Sequence, residues 1–125
     1  MIKLNYKRLE ENILRNCTLL TKKRGNELFL SKSVNSIQGK KINDIYHIYG
    51  KVNSDNRDNN IHIKYDLNRD KLCGFKCTCS KYKVYLEQGH TYYCEHIAAV
   101  AFRFLYSLKA KVNESRGVSK SENNE

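Results

Sequence analysis

The chain has 125 residues and a net charge of +10, with 23 Lys and Arg against 13 Asp and Glu. This length suits a single domain, and every apolar stretch falls short of the roughly 20 residues that a membrane-spanning helix requires. The N-terminus carries charges throughout and lacks the apolar segment of a secretory signal. We therefore expect an intracellular protein with no membrane partner, located in cytoplasm or nucleoid, or in the nucleus of a eukaryote.

The positive charge is unevenly distributed along the chain. Residues 111–125 hold three basic and three acidic side chains, so the whole excess lies in residues 1–110. Such an excess favours a polyanionic partner, of which nucleic acid is the most common. The alternative is that the charge serves only solubility.

The first predicted element is a helix over about residues 6–23. Asn5 is a suitable N-cap, and basic residues followed by Gly25 suit the C-terminal end. Apolar residues recur at intervals of three and four, which predicts a buried face made of Leu9, Ile13, Cys17 and Leu20.

After Gly25 the pattern becomes typical of strands. Strands are predicted at about residues 27–34, 42–52, 61–67 and 71–79, with a polar loop over residues 53–60. Their short connections favour an antiparallel sheet. Alternation places His62 on a polar face, where we expect it to be solvated, and His47 is interpreted as a packed or edge residue.

A second helix is predicted to begin at residue 95, because apolar residues again recur at helical spacing. Residues 111–125 are polar and are expected to form a disordered tail. The predicted fold class is α+β, with a single domain over residues 1–110. It consists of an N-terminal helix, a short antiparallel sheet and a ββα-like unit that ends in a C-terminal helix.

Three of the five cysteines and two of the four histidines fall within residues 77–96, and His96 is the histidine that follows the last of these cysteines at short spacing. Cys77 and Cys79 end a predicted strand, where alternate residues share a face and two thiolates can converge on one ion. Cys94 and His96 can share that ion only if Cys94 precedes the helix and His96 lies in its first turn. Three thiolates and one imidazole form a closed tetrahedral set, which favours one structural Zn²⁺. Buried or redox-paired cysteines are the alternative.

The remaining cysteines and a nearby histidine do not fit this spacing. Cys73 is interpreted as packed beside the site and Cys17 as a small core residue. His90 is interpreted as an exposed loop residue.

The arrangement Cys-x-Cys…Cys-x-His, leading into an apolar helix, closely resembles the SWIM zinc finger. The resemblance covers roughly residues 40–106, with the finger itself at about residues 70–106, and carries the ligand role to the four residues named above. It implies a ββα-like metal unit in a small stand-alone protein. SWIM modules are associated with DNA binding and with protein–protein interaction, so the resemblance leaves both functions open.

We expect no enzymatic activity. A catalytic zinc keeps one coordination position open for water, whereas four protein ligands would close this one. The sequence also lacks a phosphate-binding loop, a nucleophile elbow and the zinc deaminase pattern.

Nucleic acid, either DNA or RNA, is expected to bind mainly through its phosphates. Lysines and tyrosines between the two ligand pairs predict a contact surface that basic residues elsewhere would extend. The predicted contact residues are Lys76, Lys81, Tyr82, Lys83, Tyr85, Lys22, Lys23, Arg24, Lys40 and Lys41, with Tyr92 and Tyr93 nearby. The alternative is that the tyrosines pack the core and the lysines are merely solvated.

A protein-interaction adaptor is the second functional hypothesis. It would dock on a nucleic-acid-handling ATPase or recombination protein through Phe102, Leu105 and Tyr106 of the last helix, if these are exposed. A small basic subunit of a ribonucleoprotein is a variant of the first hypothesis.

Overall fold

The computed structural model describes residues 4–54, 56–89 and 94–116. Two N-terminal helices precede a four-stranded antiparallel sheet and two further helices follow it, so the predicted α+β class is confirmed. The elements in chain order are α1 (Tyr6–Arg15), α2 (Leu19–Leu30), β1 (Val34–Ile42), β2 (Ile45–Ser54), β3 (Arg57–Asp66), β4 (Lys71–Cys77), α3 (Ser80–Glu87) and α4 (Glu95–Arg116).

The N-terminal segment forms two helices where the sequence predicted one. Asn5 caps α1 as expected, but this helix ends at Arg15. Thr18 then starts a new helix, because its side chain accepts a hydrogen bond of 3.1 Å from the backbone N–H of Thr21. This capping bond satisfies a donor at the helix start and allows the chain to change direction between α1 and α2.

The break also divides the predicted apolar face. Leu9 and Ile13 of α1 are fully buried, as expected. Cys17 lies between the helices and is half-buried, whereas Leu20 is 56% exposed. The prediction is therefore correct for the α1 half of this face and wrong for Leu20.

Gly25, predicted to end the first helix, lies in the interior of α2. A methyl group at this position would lie 2.6 Å from the Cβ atom of Ala98 in α4, so glycine permits the close approach of the two helices. Helix α2 then continues to Leu30 and ends where Lys32 adopts a φ of 61°. The predicted strand over residues 27–34 is thus wrong for most of its length, because contact with α4 outweighs a strand-like composition.

The sheet is a meander in which each strand pairs with the next, in the order β1-β2-β3-β4. A turn at Asn43–Asp44 connects β1 to β2, and Asn43 has a φ of 55°, a conformation that asparagine tolerates better than most residues. Pairing continues to Ser54 and Arg57 at the adjoining ends of β2 and β3. The predicted loop over residues 53–60 is therefore mostly strand, because the connection needs only the two residues between that last pair.

Helix α4 crosses one face of the sheet and contacts all four strands. A methyl group at Gly50 in β2 would lie 2.7 Å from both methyl groups of Val100, so the missing side chain lets the helix lie close to the strand. The buried residues on this sheet face are Ile48, Val52, Ile61, Ile63 and Tyr65. This packing fixes the start of α4 relative to the end of β4.

A buried amide joins α1 to the β3–β4 turn. Asn12 is 7% exposed, and its amide nitrogen donates to the backbone oxygens of Arg8 at 2.8 Å and Asp70 at 2.9 Å. Its amide oxygen accepts from the backbone N–H of Leu72 at 3.4 Å. Because buried polar groups are costly when unpaired, these bonds define where α1 sits on the sheet.

Helix α4 extends to Arg116, six residues into the segment 111–125 that was expected to be disordered. The expectation is wrong for this part of the tail, and residues 117–125 lie outside the described residues. Within the described ranges, no helix is both long and apolar enough to cross a membrane.

Candidate metal centre and basic surfaces

The four predicted ligands come together at the junction of β4, α3 and α4. Cys77 is the last residue of β4, and Cys79 directly precedes α3. Cys94 directly precedes α4, and His96 is the second residue of that helix, as the ligand spacing requires. The three cysteines are all less than 9% exposed.

The distances within this cluster fit one metal ion. The four ligand atoms all lie within 4.8 Å of one another. The Nδ1 atom of His96 lies 3.8 Å from the Sγ atom of Cys77 and 3.7 Å from that of Cys94. Zn–S bonds of about 2.3 Å and Zn–N bonds of about 2.0–2.1 Å give tetrahedral S···N edges of about 3.6 Å. The cluster can therefore hold one ion, a geometry compatible with a single structural zinc.

Two helix N-termini support the thiol groups of this centre. The Sγ atom of Cys79 accepts a hydrogen bond of 3.4 Å from the backbone N–H of Tyr82, which places Cys79 in the capping position of α3. The Sγ atom of Cys94 accepts in the same manner from the backbone N–H of Ile97 at the start of α4. Backbone donors at helix starts favour the negatively charged thiolate, which is the form that binds metal.

Burial acts in the opposite direction on the same thiols. A hydrogen bond with Cys77, followed by burial, raises the pKa of Cys94, and burial raises the pKa of Cys79. Three thiolates packed together would repel one another without a cation between them. A bound Zn²⁺ would supply that charge and keep the thiols deprotonated. The chemistry of these four donor groups is therefore better explained by a bound cation than by cysteines packed together without one.

The other cysteines lie apart from the cluster. Cys73 is exposed, which differs from its predicted packing beside the site, and Cys17 is half-buried against the core. A β-bulge in the pairing of β3 with β4 leaves Cys73 without a cross-strand partner. The alternation of side chains counted back from Cys77 therefore fails at Cys73. His90 lies outside the described residues.

Helix α3 occupies the segment between the ligand pairs, for which no element was predicted. Tyr82 in α3 is only 6% exposed, and its hydroxyl donates to the backbone oxygen of Phe75 at 2.9 Å. The prediction that Tyr82 contacts nucleic acid is therefore wrong, because its ring packs beside the metal centre. Lys83 is exposed. The side chains of Lys81 and Tyr85, together with Tyr92 and Tyr93, lie outside the described part of the structure.

The remaining predicted contact residues do not form one surface. Lys22, Lys23 and Arg24 are on α2, which packs against α4, and Arg24 lies 3.8 Å from Glu95 in an ion pair. Lys40 and Lys41 are neighbours on β1 and by alternation point to opposite sides of the sheet. Lys76 is on β4.

A basic surface that the sequence did not reveal lies on the sheet face directed away from α4, here called the open sheet face. Cross-strand pairing groups Lys40 with His47, and His47 with Lys64. The next register pairs Tyr49 with His62, and His62 with Lys76. The lysines of the open sheet face are all exposed and are Lys40, Lys51, Lys64, Lys71 and Lys76.

Three rings lie at the centre of the open sheet face. The rings of Tyr49 and His62 stack with centroids 4.5 Å apart, and those of His47 and His62 stack at 5.0 Å. His47 Nδ1 and His62 Nε2 lie 2.8 Å apart in a hydrogen bond. From the sequence pattern, His62 was expected to be solvated and His47 to be a packed or edge residue. Alternation places each ring on an outward face, but only the register brings them together.

Searches against protein-family models, curated proteins and solved structures found no match to this chain. A function for the protein must therefore be inferred from its fold and from the geometry of its sites.

Proposed function

We propose that this protein is a zinc-stabilised, basic module that binds nucleic acid mainly through the phosphate backbone. The observation that carries the proposal is the open sheet face, on which five exposed lysines come from all four strands. Asp58 and Asp66, the acidic residues on this face, lie towards its two ends in the register. A surface with concentrated positive charge attracts polyanions and releases their condensed counterions on contact.

The metal centre has a structural role in this proposal. Four protein ligands would complete a tetrahedral shell around the ion and would leave no position for a catalytic water. The ion would hold the end of β4 and the starts of α3 and α4 together beside the sheet. The spacing of the ligands resembles the SWIM finger, and we extend the proposal to a stand-alone finger of that type.

Salt dependence of binding tests the function directly. Affinity for mixed-sequence duplex DNA, single-stranded DNA and single-stranded RNA is measured by fluorescence anisotropy at about 50 and about 200 mM salt. The logarithm of the affinity should fall with slope about −0.9 per phosphate contact on duplex and about −0.7 on single strands. Absence of binding to all three ligands at the lower salt would reject the proposal.

A pair of matched variants tests whether the open sheet face carries the binding. Lys64→Glu with Lys76→Glu should weaken binding to all sequences and reduce the magnitude of the salt slope by roughly 1.4–1.8. Lys22→Glu with Lys23→Glu makes the same change in net charge on α2 and should leave the slope nearly unchanged. Equal losses in both variants would show that overall charge, rather than this face, is responsible.

An adaptor is the second candidate, and exposed apolar residues on the helical side favour it. Leu19 is 88% exposed and borders a depression of about 360 Å³ that includes Phe102. Leu30 is 68% exposed and borders another with Tyr106. Leu105 is buried, so it cannot join this surface as the sequence suggested. Recovery of protein partners from native lysate after nuclease treatment would favour the adaptor.

A further inference from the structure

The three rings of the open sheet face form an aromatic platform within a basic surface. Their planes lie within 21° of one another, with centroid separations between 4.5 and 6.1 Å. The hydrogen bond between His47 and His62 restrains both rings before any ligand arrives. A surface ordered in advance loses little conformational entropy when a ligand binds.

Four lysines are close neighbours of the three rings of this platform. Lys40 and Lys64 flank His47 in one register, and Lys76 flanks His62 in the next. Lys51 follows Tyr49 two residues later on the same strand face. Burial is the largest cause of the lowered pKa of His62, and the charge of His47 is the next. The charges of Lys64 and Lys76 lower this pKa further, which agrees with their proximity to the ring.

An open depression lies against the platform. It has a volume of about 340 Å³ and is lined by Tyr49, Ile37 and Gly50 together with polar residues. Tyr49 itself is 38% exposed, so its ring is partly packed against its neighbours and partly accessible to a ligand. The polar lining residues are Ser36, Gln38, Lys51 and Asn60.

We propose that the open sheet face binds single-stranded nucleic acid, with one base entering this depression and stacking on Tyr49. The inference rests on the proposed function and specifies its ligand class. A lysine-rich surface alone would contact the phosphates of duplex and single strands alike. Stacking requires an unpaired base with a free face, and a π-face is common to every base, so little sequence preference is expected. The hydroxyl and amide groups of the lining can bond to base edges, and the surrounding lysines can neutralise the flanking phosphates.

The same anisotropy assay, with fluorescently labelled mixed-sequence 12-mers, tests this inference. Tyr49→Ala should weaken binding to single-stranded DNA or RNA by about 5- to 150-fold, the range expected for loss of one stacked base. Binding to duplex DNA should change by less than about twofold, because phosphates dominate it. Tyr49→Phe keeps the ring and should retain single-strand affinity. Tyr49-dependent binding of single-stranded DNA or of single-stranded RNA supports the inference. Comparison of the two affinities shows which of the two nucleic acids the protein prefers.

Tyr106→Ala is the matched control, because Tyr106 is an exposed tyrosine on α4 rather than on the sheet. It should leave single-strand affinity unchanged, and thermal unfolding of each variant checks that the fold is retained. Single-strand affinity within about twofold of wild type in Tyr49→Ala would overturn the stacking inference while salt-dependent binding still supported the proposed function. Failure of the wild-type protein to bind any nucleic acid would instead reject the function itself.

Discussion

Substitution of Cys94 by serine should abolish metal binding by the cluster of Cys77, Cys79, Cys94 and His96 and lower the stability of the elements around it. Cys94 is 1% exposed and directly precedes α4, so its substitution changes a metal ligand that lies within the buried core. Serine has nearly the same shape but is a poor zinc ligand. The expected loss is therefore one of coordination rather than of packing.

The size of the effect follows from the length of the loop that a bound metal would close. Fourteen residues separate Cys79 from Cys94, and they include α3. Release of a constraint on a loop of about 15 residues is worth roughly 3 kcal/mol in the chain-entropy estimate for a cross-link. At about 4 °C per kcal/mol for a domain near this size, the melting temperature should fall by roughly 12 °C. Most of α4 should remain folded, because the sheet holds it independently of the metal.

The assay combines metal analysis with thermal unfolding. Wild-type protein purified without chelator should contain one zinc per chain, and chelation should lower its melting temperature to that of Cys94→Ser. Hydrogen exchange should lose protection chiefly in α3 and the first turn of α4. Cys73→Ser is the matched control, since Cys73 is exposed on β4, and it should keep both the zinc and the melting temperature. A Cys94→Ser variant with one zinc per chain and unchanged melting would refute the assigned ligand set.

Three further predictions concern packing, a buried amide and pH. Gly50→Ala should destabilise the fold by about 1–3 kcal/mol in urea unfolding because of overlap with Val100, and a favourable coupling with Val100→Ala should recover part of the loss. Asn12→Ala should cost about 1–3 kcal/mol, since it leaves the part-buried Asp70 carbonyl without its donor, and an unchanged midpoint would contradict this. The pKa of His62 is lowered from its ordinary 6.5 by burial, by His47 and by two lysines. The stability contributed by the neutral form of His62 is therefore present above pH 6.5 and is lost as the pH falls through the lowered pKa. The melting temperature should therefore fall less steeply between about pH 7 and about pH 5 in His62→Gln than in wild type, and parallel curves would exclude a role for His62.

The metal cluster shows how much the local sequence could predict. Cys94 had to precede a helix and His96 had to lie in its first turn, because residues two apart on a regular helix point in nearly opposite directions. The structure has this arrangement. Short-range geometry and ligand chemistry were sufficient to predict this cluster, since a single residue separates the two members of each ligand pair.

The N-terminal helices show where local patterns were misleading. Gly25 is a good helix stop when considered alone, yet it lies within α2 because it faces Ala98 across a close helix contact. Ala98 is far away in sequence, so no local pattern contains this information. The residues after Gly25 likewise have a strand-like composition but adopt the helix that packing on α4 favours.

Periodicity and spacings of a few residues were enough to predict the α+β class, the alternating faces of β3, the start of α4 and the identity of the clustered thiol and imidazole groups. The burial of the Tyr82 ring could not be predicted in this way, nor could the stacking of Tyr49, His47 and His62 among lysines from four strands. Strand register and helix packing set these neighbours, and both are determined by long-range burial of the core rather than by any single segment.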